Sequence, residues 1–126
     1  MLTAAPIRAY LPALNVARAR AFYEQKLGLT PKMEYAGGVV YSCGGGTEAF
    51  LYPTSNAGTS KASQAFWQVQ DVEAEVAELR ARGVTFEEYD GPQIKTKNGV
   101  ATGPDGAKVA WFKDTEGNIL AISQGV

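Results

Sequence analysis

The chain has 126 residues, of which 45% are hydrophobic; this is enough for one compact domain with an apolar core and too little for two. Its 12 basic and 13 acidic residues leave a formal net charge of −1, and no run of like charge indicates a nucleic-acid partner. No segment has the length and apolar character of a membrane span or a signal peptide, so we expect a cytoplasmic protein without a membrane partner.

The first half of the chain reads as a strand, a helix and three further strands. A strand is predicted at residues 7–11, and a helix at 15–29 that opens on Asn15 and closes on Gly28. Asparagine accepts a hydrogen bond from the first turn of a helix, and glycine suits the left-handed cap at its end. The later strands are expected at about 31–35, 39–42 and 49–52, with a glycine-rich turn at 44–46.

The second half repeats this order after a polar loop. A strand predicted at residues 65–69 precedes a helix at 71–84, which opens on Asp71 and ends on Gly83. Further strands are expected at about 85–89, 100–103, 108–113 and 119–122, and the segment 91–98 is a candidate lid. We place one domain at 1–126, with modules at about 5–54 and 64–124 and a linker at about 55–63.

Two residue counts limit the chemistry. The sequence contains no histidine, which removes the commonest general base at neutral pH and the preferred nitrogen ligand for zinc, nickel or ferrous iron. Its single cysteine, Cys43, excludes an internal disulfide and fits a reducing compartment.

Three motifs resemble the vicinal oxygen chelate superfamily of glyoxalases, bleomycin-resistance proteins and extradiol dioxygenases. They are LNVARARAFYEQKLGL at 14–29, WQVQDVEAEVAELRARGVTFEEYDGP at 67–92 and AWFKDTEGNIL at 110–120. The resemblance implies an α+β fold of tandem β-α-β-β-β modules that form an open half-barrel cleft. It also implies a homodimer that completes the cleft.

The resemblance marks four positions at which metal-binding members carry their ligands. In this sequence those positions are held by Arg8, Phe50, Gln64 and Ala121. Only Gln64 offers a donor, and a weak one, whereas Arg8 would repel a divalent cation and Ala121 has no donor atom. We therefore expect neither a metal nor another cofactor.

Strand alternation extends these positions to a predicted cleft lining, because residues two apart on a strand share a face. The predicted ligand-binding residues are Arg8, Tyr10, Phe50, Tyr52, Gln64, Phe66, Gln68 and Trp111. This lining suits a flat or aromatic organic ligand, with Gln64 or Tyr10 orienting it and Arg8 meeting an anionic group. Trp67 and Phe112 are expected to face the core instead.

Three functions stay open at this point. The favoured one is metal-independent binding of a small molecule, similar to the antibiotic-sequestering members of the superfamily. The second is a metal-free lyase, isomerase or epimerase, with Glu48, Tyr10 or Tyr52 transferring a proton and Arg8 stabilising an enolate-like oxygen. The third is a metal-dependent glyoxalase or dioxygenase, which requires a shifted alignment with ligands from among Glu48, Glu87 and Asp90. No catalytic residue is assigned.

Overall fold

The computed structural model describes residues 1–125. Its strands are β1 (Ala9–Ala13), β2 (Thr30–Tyr35), β3 (Gly38–Ser42), β4 (Glu48–Pro53), β5 (Ser63–Gln68), β6 (Ala101–Thr102), β7 (Lys108–Lys113) and β8 (Ile119–Gln124). Helix α1 (Val16–Ala21) continues as a π-helical segment (Phe22–Lys26), and α2 spans Val72–Ala81. Single 3₁₀ turns lie at Leu2–Ala4 and Gly44–Gly46.

The strands form two four-stranded mixed sheets with the same topology. Their orders are β1-β4-β3-β2 and β5-β8-β7-β6, and in each sheet the first strand pairs in parallel with the last. Tyr10 lies beside Phe50 in one sheet, and Phe66 lies beside Ala121 in the other. The α+β fold of tandem modules is therefore confirmed. By this register, Tyr10 corresponds to Phe66, and Phe50 corresponds to Ala121.

Each helix covers one face of its own sheet and forms the core with it. The Asn15 side chain accepts from the amide of Arg18 at 3.0 Å, and Asp71 accepts from the amide of Ala74 at 3.1 Å, so both predicted caps are confirmed. In the π-helical segment the amide of Leu27 bonds to the carbonyl of Phe22 at 3.1 Å. The largest fully buried side chains are Tyr23, Tyr41, Phe112, Leu11, Leu51, Leu120, Val39, Val72 and Asn118.

The predicted strand at residues 85–89 is wrong. Only Phe86 forms an isolated bridge, with Phe112, and the amide of Glu87 donates to the carbonyl of Trp111 at 2.8 Å. The chain then leaves the edge of β7 and returns to it at β6. Phe86 and β6 therefore share the edge position that the single strand β2 occupies in the first sheet. The carboxylate of Glu88 accepts from Thr96 Oγ1 and from the amide of Gly99, both at 2.7 Å. These bonds link the two ends of the segment that leaves the sheet.

The turn between β7 and β8 joins the two modules. Buried Asp114 accepts from the Tyr23 hydroxyl at 2.5 Å, and the Asn118 amide donates to the carbonyl of Pro12 at 2.7 Å. The Glu116 carboxylate accepts from the amide of Asn15 and from Arg18 Nε, each at 2.9 Å. These bonds hold the turn of the second sheet against β1, α1 and the π-helical segment of the first module.

In the part of the chain that the structure describes, no helix is long and apolar enough to cross a membrane. The cytoplasmic location stays a prediction.

Candidate ligand-binding cleft

On strands β1 and β5 the two faces differ in exposure. On β1, Leu11 is fully buried against the helices while Tyr10, which points the other way, is 65% exposed. On β5, Trp67 packs toward the core and stacks with Phe112 at 6.4 Å between ring centroids, while Phe66 is 53% exposed. The predicted core-facing role of Phe112 is confirmed, whereas Trp67 is half-buried and also lines the groove described below.

Four aromatic rings on the open face of the first sheet form a continuous cluster, called the aromatic cluster below: Tyr10, Tyr35, Phe50 and Tyr52. The ring centroids of Tyr10 and Tyr52 are 4.9 Å apart in an edge-to-face arrangement, and Phe50 and Tyr52 stack at 5.9 Å. Tyr35 joins the cluster at 5.8 Å from Phe50. Sequence reasoning missed Tyr35, although it lies two residues after Met33, whose partner Val40 pairs in turn with Phe50.

The open face of the second sheet has a small residue between two large ones. Ala121 pairs with Phe66 on one side and with Trp111 on the other. The indole nitrogen of Trp111 donates to Ser63 Oγ at 3.1 Å, and its ring meets Tyr89 edge-on at 5.5 Å. Ser63 and Tyr89 are further residues that sequence reasoning missed; their contacts depend on a register shift in β5 and on the irregular 85–89 segment.

A groove of about 1050 Å³ runs between β1 and β5. The structure brings five of the eight predicted ligand-binding residues to its walls: Arg8, Tyr10, Gln64, Phe66 and Gln68. The other three, Phe50, Tyr52 and Trp111, do not line this groove. Because Tyr10 contacts both Phe50 and Tyr52, the groove and the aromatic cluster share a wall.

One end of the open face of the first sheet carries three charged side chains, called the charged trio below: Arg8, Lys32 and Glu48. The Glu48 carboxylate forms ion pairs with Arg8 Nε at 3.3 Å and with Lys32 Nζ. The hydrogen bond from Lys32 lowers the pKa of Glu48 below its ordinary range; burial opposes this, and the charges of both cations add to it. Glu48 therefore stays ionised and is a weak base.

The carboxylates that a shifted metal alignment would need are each paired with a cation. Glu87 lies 3.5 Å from Lys113, Asp90 lies 3.7 Å from Lys95, and Glu48 belongs to the charged trio. Within residues 1–125, no three side chains among His, Cys, Asp and Glu lie together in an arrangement that could hold a metal ion. These donor sets do not fit a divalent metal.

The chain belongs to the Glyoxalase/Bleomycin resistance protein/Dioxygenase superfamily, whose family profile matches residues 8–122. No curated protein matches the sequence. The fold is similar to that of UcmS2, with a TM-score of 0.75 and 18% identity over 95% of this chain and 97% of that one. It is also similar to a glyoxalase/bleomycin resistance protein from Catenulispora acidiphila, with a TM-score of 0.73 and 20% identity over 96% and 98% of the two chains.

A third similar structure is a lactoylglutathione lyase from Agrobacterium tumefaciens, with a TM-score of 0.68 and 20% identity over 97% of this chain and 94% of that one. At such identities the similarity shows a shared fold and leaves the activity to be argued from the site.

Proposed function

We propose that the cleft binds a small aromatic organic molecule and that it needs no metal ion to do so. The supporting observation is the exposure of aromatic rings on sheet faces that look away from the core. Tyr10, Tyr35 and Phe66 are each more than half exposed, although Leu11, the neighbour of Tyr10 on the opposite face, is fully buried. An apolar surface of this kind is stabilised when it is covered, and a flat ligand that stacks on the rings covers it.

The four superfamily ligand positions support the metal-independent part of the proposal. The register equates Phe50 with Ala121, and neither side chain has an oxygen or nitrogen donor. Arg8 is a cation and is already paired with Glu48. Gln64, on the wall of the groove, is left as the single donor, whereas a catalytic zinc site uses three protein ligands.

The alternative of a metal-free lyase or isomerase has less support. Its best candidate for proton transfer is Glu48, which is held in its ionised form by Lys32 and Arg8. A carboxylate stabilised in this way accepts a proton poorly from a carbon acid, because the ideal catalytic pKa lies near the operating pH. Binding without turnover needs no such group.

We further propose that two copies of the chain associate and narrow the cleft. Met33 and Tyr35 on the edge strand β2 are 51% and 60% exposed, and a second copy of the chain would cover this apolar surface. Light scattering of the purified protein tests this part of the proposal; a monomer at every concentration would contradict it.

Native mass spectrometry tests the metal-independent part. The purified protein is measured before and after incubation with zinc, nickel, manganese and ferrous ions. We expect a metal-free mass throughout. Uptake of about one ion per cleft would overturn the ligand mapping and favour the metal-dependent alternative.

A screen of aromatic compounds with paired variants tests the binding itself. Phe66→Gln removes an exposed ring from the groove wall, and we expect it to weaken binding about tenfold. Leu14→Gln is the matched control, because Leu14 is also exposed, at 58%, but does not line the groove. If Phe66→Gln binds the compound as tightly as Leu14→Gln does, the ligand does not bind in the groove.

A further inference from the structure

The charged trio has an unequal balance of charge. Two cations, Arg8 and Lys32, share the single carboxylate of Glu48. Arg8 and Glu48 line the groove, and Lys32 reaches Glu48 from outside it. This end of the open face therefore carries one more cation than anion, although the chain as a whole has a formal net charge of −1. The Arg8 and Lys32 side chains are 37% and 53% exposed, so both reach solvent while they contact Glu48.

The fold places the charged trio directly beside the aromatic cluster. Ala9 pairs with Ala49, which brings Arg8 next to Glu48 across two parallel strands. Lys32 is the extra residue of a bulge between Pro31 and Met33, and from there it reaches the same carboxylate. Glu48 precedes Phe50 by two residues on β4, so the charged trio and the aromatic cluster lie on one face.

This arrangement has the two parts that an aromatic anion requires. Stacked rings accept a flat apolar body, and a guanidinium next to an ammonium accepts an anionic group through charge-assisted hydrogen bonds. Glu48 occupies the two cations in the free protein, as an internal counter-anion. Because Arg8 and Lys32 stay more exposed than Glu48, an incoming anion has access to both cations from the solvent.

We propose that the ligand of the cleft is an aromatic compound with one anionic group, and that this group docks on Arg8 and Lys32 in competition with Glu48. The inference rests on the proposed binding function and adds the charge of the ligand to it. It assigns opposite roles to the members of the charged trio: the two cations favour binding and Glu48 opposes it.

A matched pair of fluorescent probes tests the proposal. Anilinonaphthalene sulfonate is an aromatic monoanion, and N-phenylnaphthylamine has the same rings without the sulfonate. Dissociation constants for both probes are measured by fluorescence titration with the full-length protein. We expect the sulfonate to bind more tightly than the neutral probe, and its binding to weaken as salt is added.

Substitutions in the charged trio give the decisive comparison. We expect Arg8→Gln and Lys32→Gln each to weaken sulfonate binding about three- to tenfold, because each removes one positive charge near the anion. Glu48→Gln removes the competing carboxylate, and we expect it to tighten sulfonate binding by a similar factor. The readout is the ratio of the two dissociation constants, because we expect each substitution to change binding of the sulfonate more than binding of the neutral probe.

Arg82→Gln is the charge-matched control, because Arg82 lies at the C-cap of α2 and does not contact Glu48, so it belongs neither to the charged trio nor to the groove wall. Circular dichroism shows whether each variant is folded. Sulfonate binding that does not respond to the trio, or that weakens in Glu48→Gln, would overturn the inference while leaving the aromatic cleft intact. Failure of both probes to bind, or binding that survives Phe66→Gln, would count against the proposed function itself.

Discussion

Replacing Glu116 with glutamine tests how the two modules are held together. Glu116 lies in the turn after β7, and its side chain is fully buried where it meets Arg18 on α1. Burial alone would raise the pKa of Glu116, but hydrogen bonds from Arg18, from the Asn15 amide and from Thr115 outweigh it and lower the pKa to about 2. Glu116→Gln keeps an acceptor for Asn15 and removes the charge that Arg18 needs.

The pKa sets the size and the pH dependence of the effect. The difference between the ordinary value of 4.5 and the folded value of about 2 corresponds to at most about 3 kcal/mol of folding free energy at neutral pH. Arg18 is half exposed, so solvent screening reduces this, and we expect a loss of about 1 to 2 kcal/mol. Because the pKa is lower in the folded state, the stabilisation is present above about pH 4.5 and disappears as the pH falls toward 2.

Urea unfolding followed by the fluorescence of Trp67 and Trp111 measures this difference. The free energies of unfolding of the wild type and Glu116→Gln are compared at several values between about pH 7 and pH 3. Glu78→Gln is the control, because Glu78 is 63% exposed and pairs only at 3.8 Å with Arg82. A difference that does not shrink on acidification, or that Glu78→Gln reproduces, would refute the assignment of the stabilisation to the Glu116 charge.

Three further predictions concern the fold around the cleft. Phe112→Ala should lower the free energy of unfolding by about 3 to 5 kcal/mol, because Phe112 is fully buried. Thermal denaturation measures this loss, which should be smaller for Trp111→Ala on the open face. Gly58→Ala should destabilise strongly in the same assay, since Gly58 has φ +73° and an added Cβ would lie 2.3 Å from a backbone oxygen. Gly106→Ala is the control: Gly106 has φ +86° but open space around it, so the substitution should cost only about 1 kcal/mol. Asp71→Ala should lower the free energy of unfolding in urea by about 1 kcal/mol through loss of the α2 cap, and no loss would show that the cap bond to Ala74 is dispensable.

Features governed by neighbours in the chain were predictable from the sequence. The caps at Asn15 and Asp71 follow from side chains that reach the amide three residues later. The opposite orientations of Trp111 and Phe112 follow from the two-residue period of a strand, once Phe112 is taken as the core-facing member. In both cases a local rule decides the outcome without knowledge of the partner strand.

Features that depend on strand register were not predictable in the same way. Lys32 meets Glu48 only because a bulge inserts one residue into β2, and no turn or composition signal marks that bulge. The segment at residues 85–89 has the composition of a strand, but it keeps a single bridge at Phe86 before the chain leaves the sheet edge. The apolar residues of this segment are explained by packing, as in the contact between Phe86 and Phe112. Such a composition does not by itself produce the backbone hydrogen bonds of a strand.

The two modules carry unlike side chains at the positions that the register equates. Phe50 fills its position and stacks with Tyr52, whereas Ala121 is small, 3% exposed and lies between Phe66 and Trp111. One sheet therefore presents an aromatic surface with a charged end, and the other a small buried residue between two large rings. A symmetric metal site needs donor atoms at both positions. Neither Phe50 nor Ala121 has a donor atom, and this lack of donors in both modules is the chemical basis of the proposed metal-independent binding.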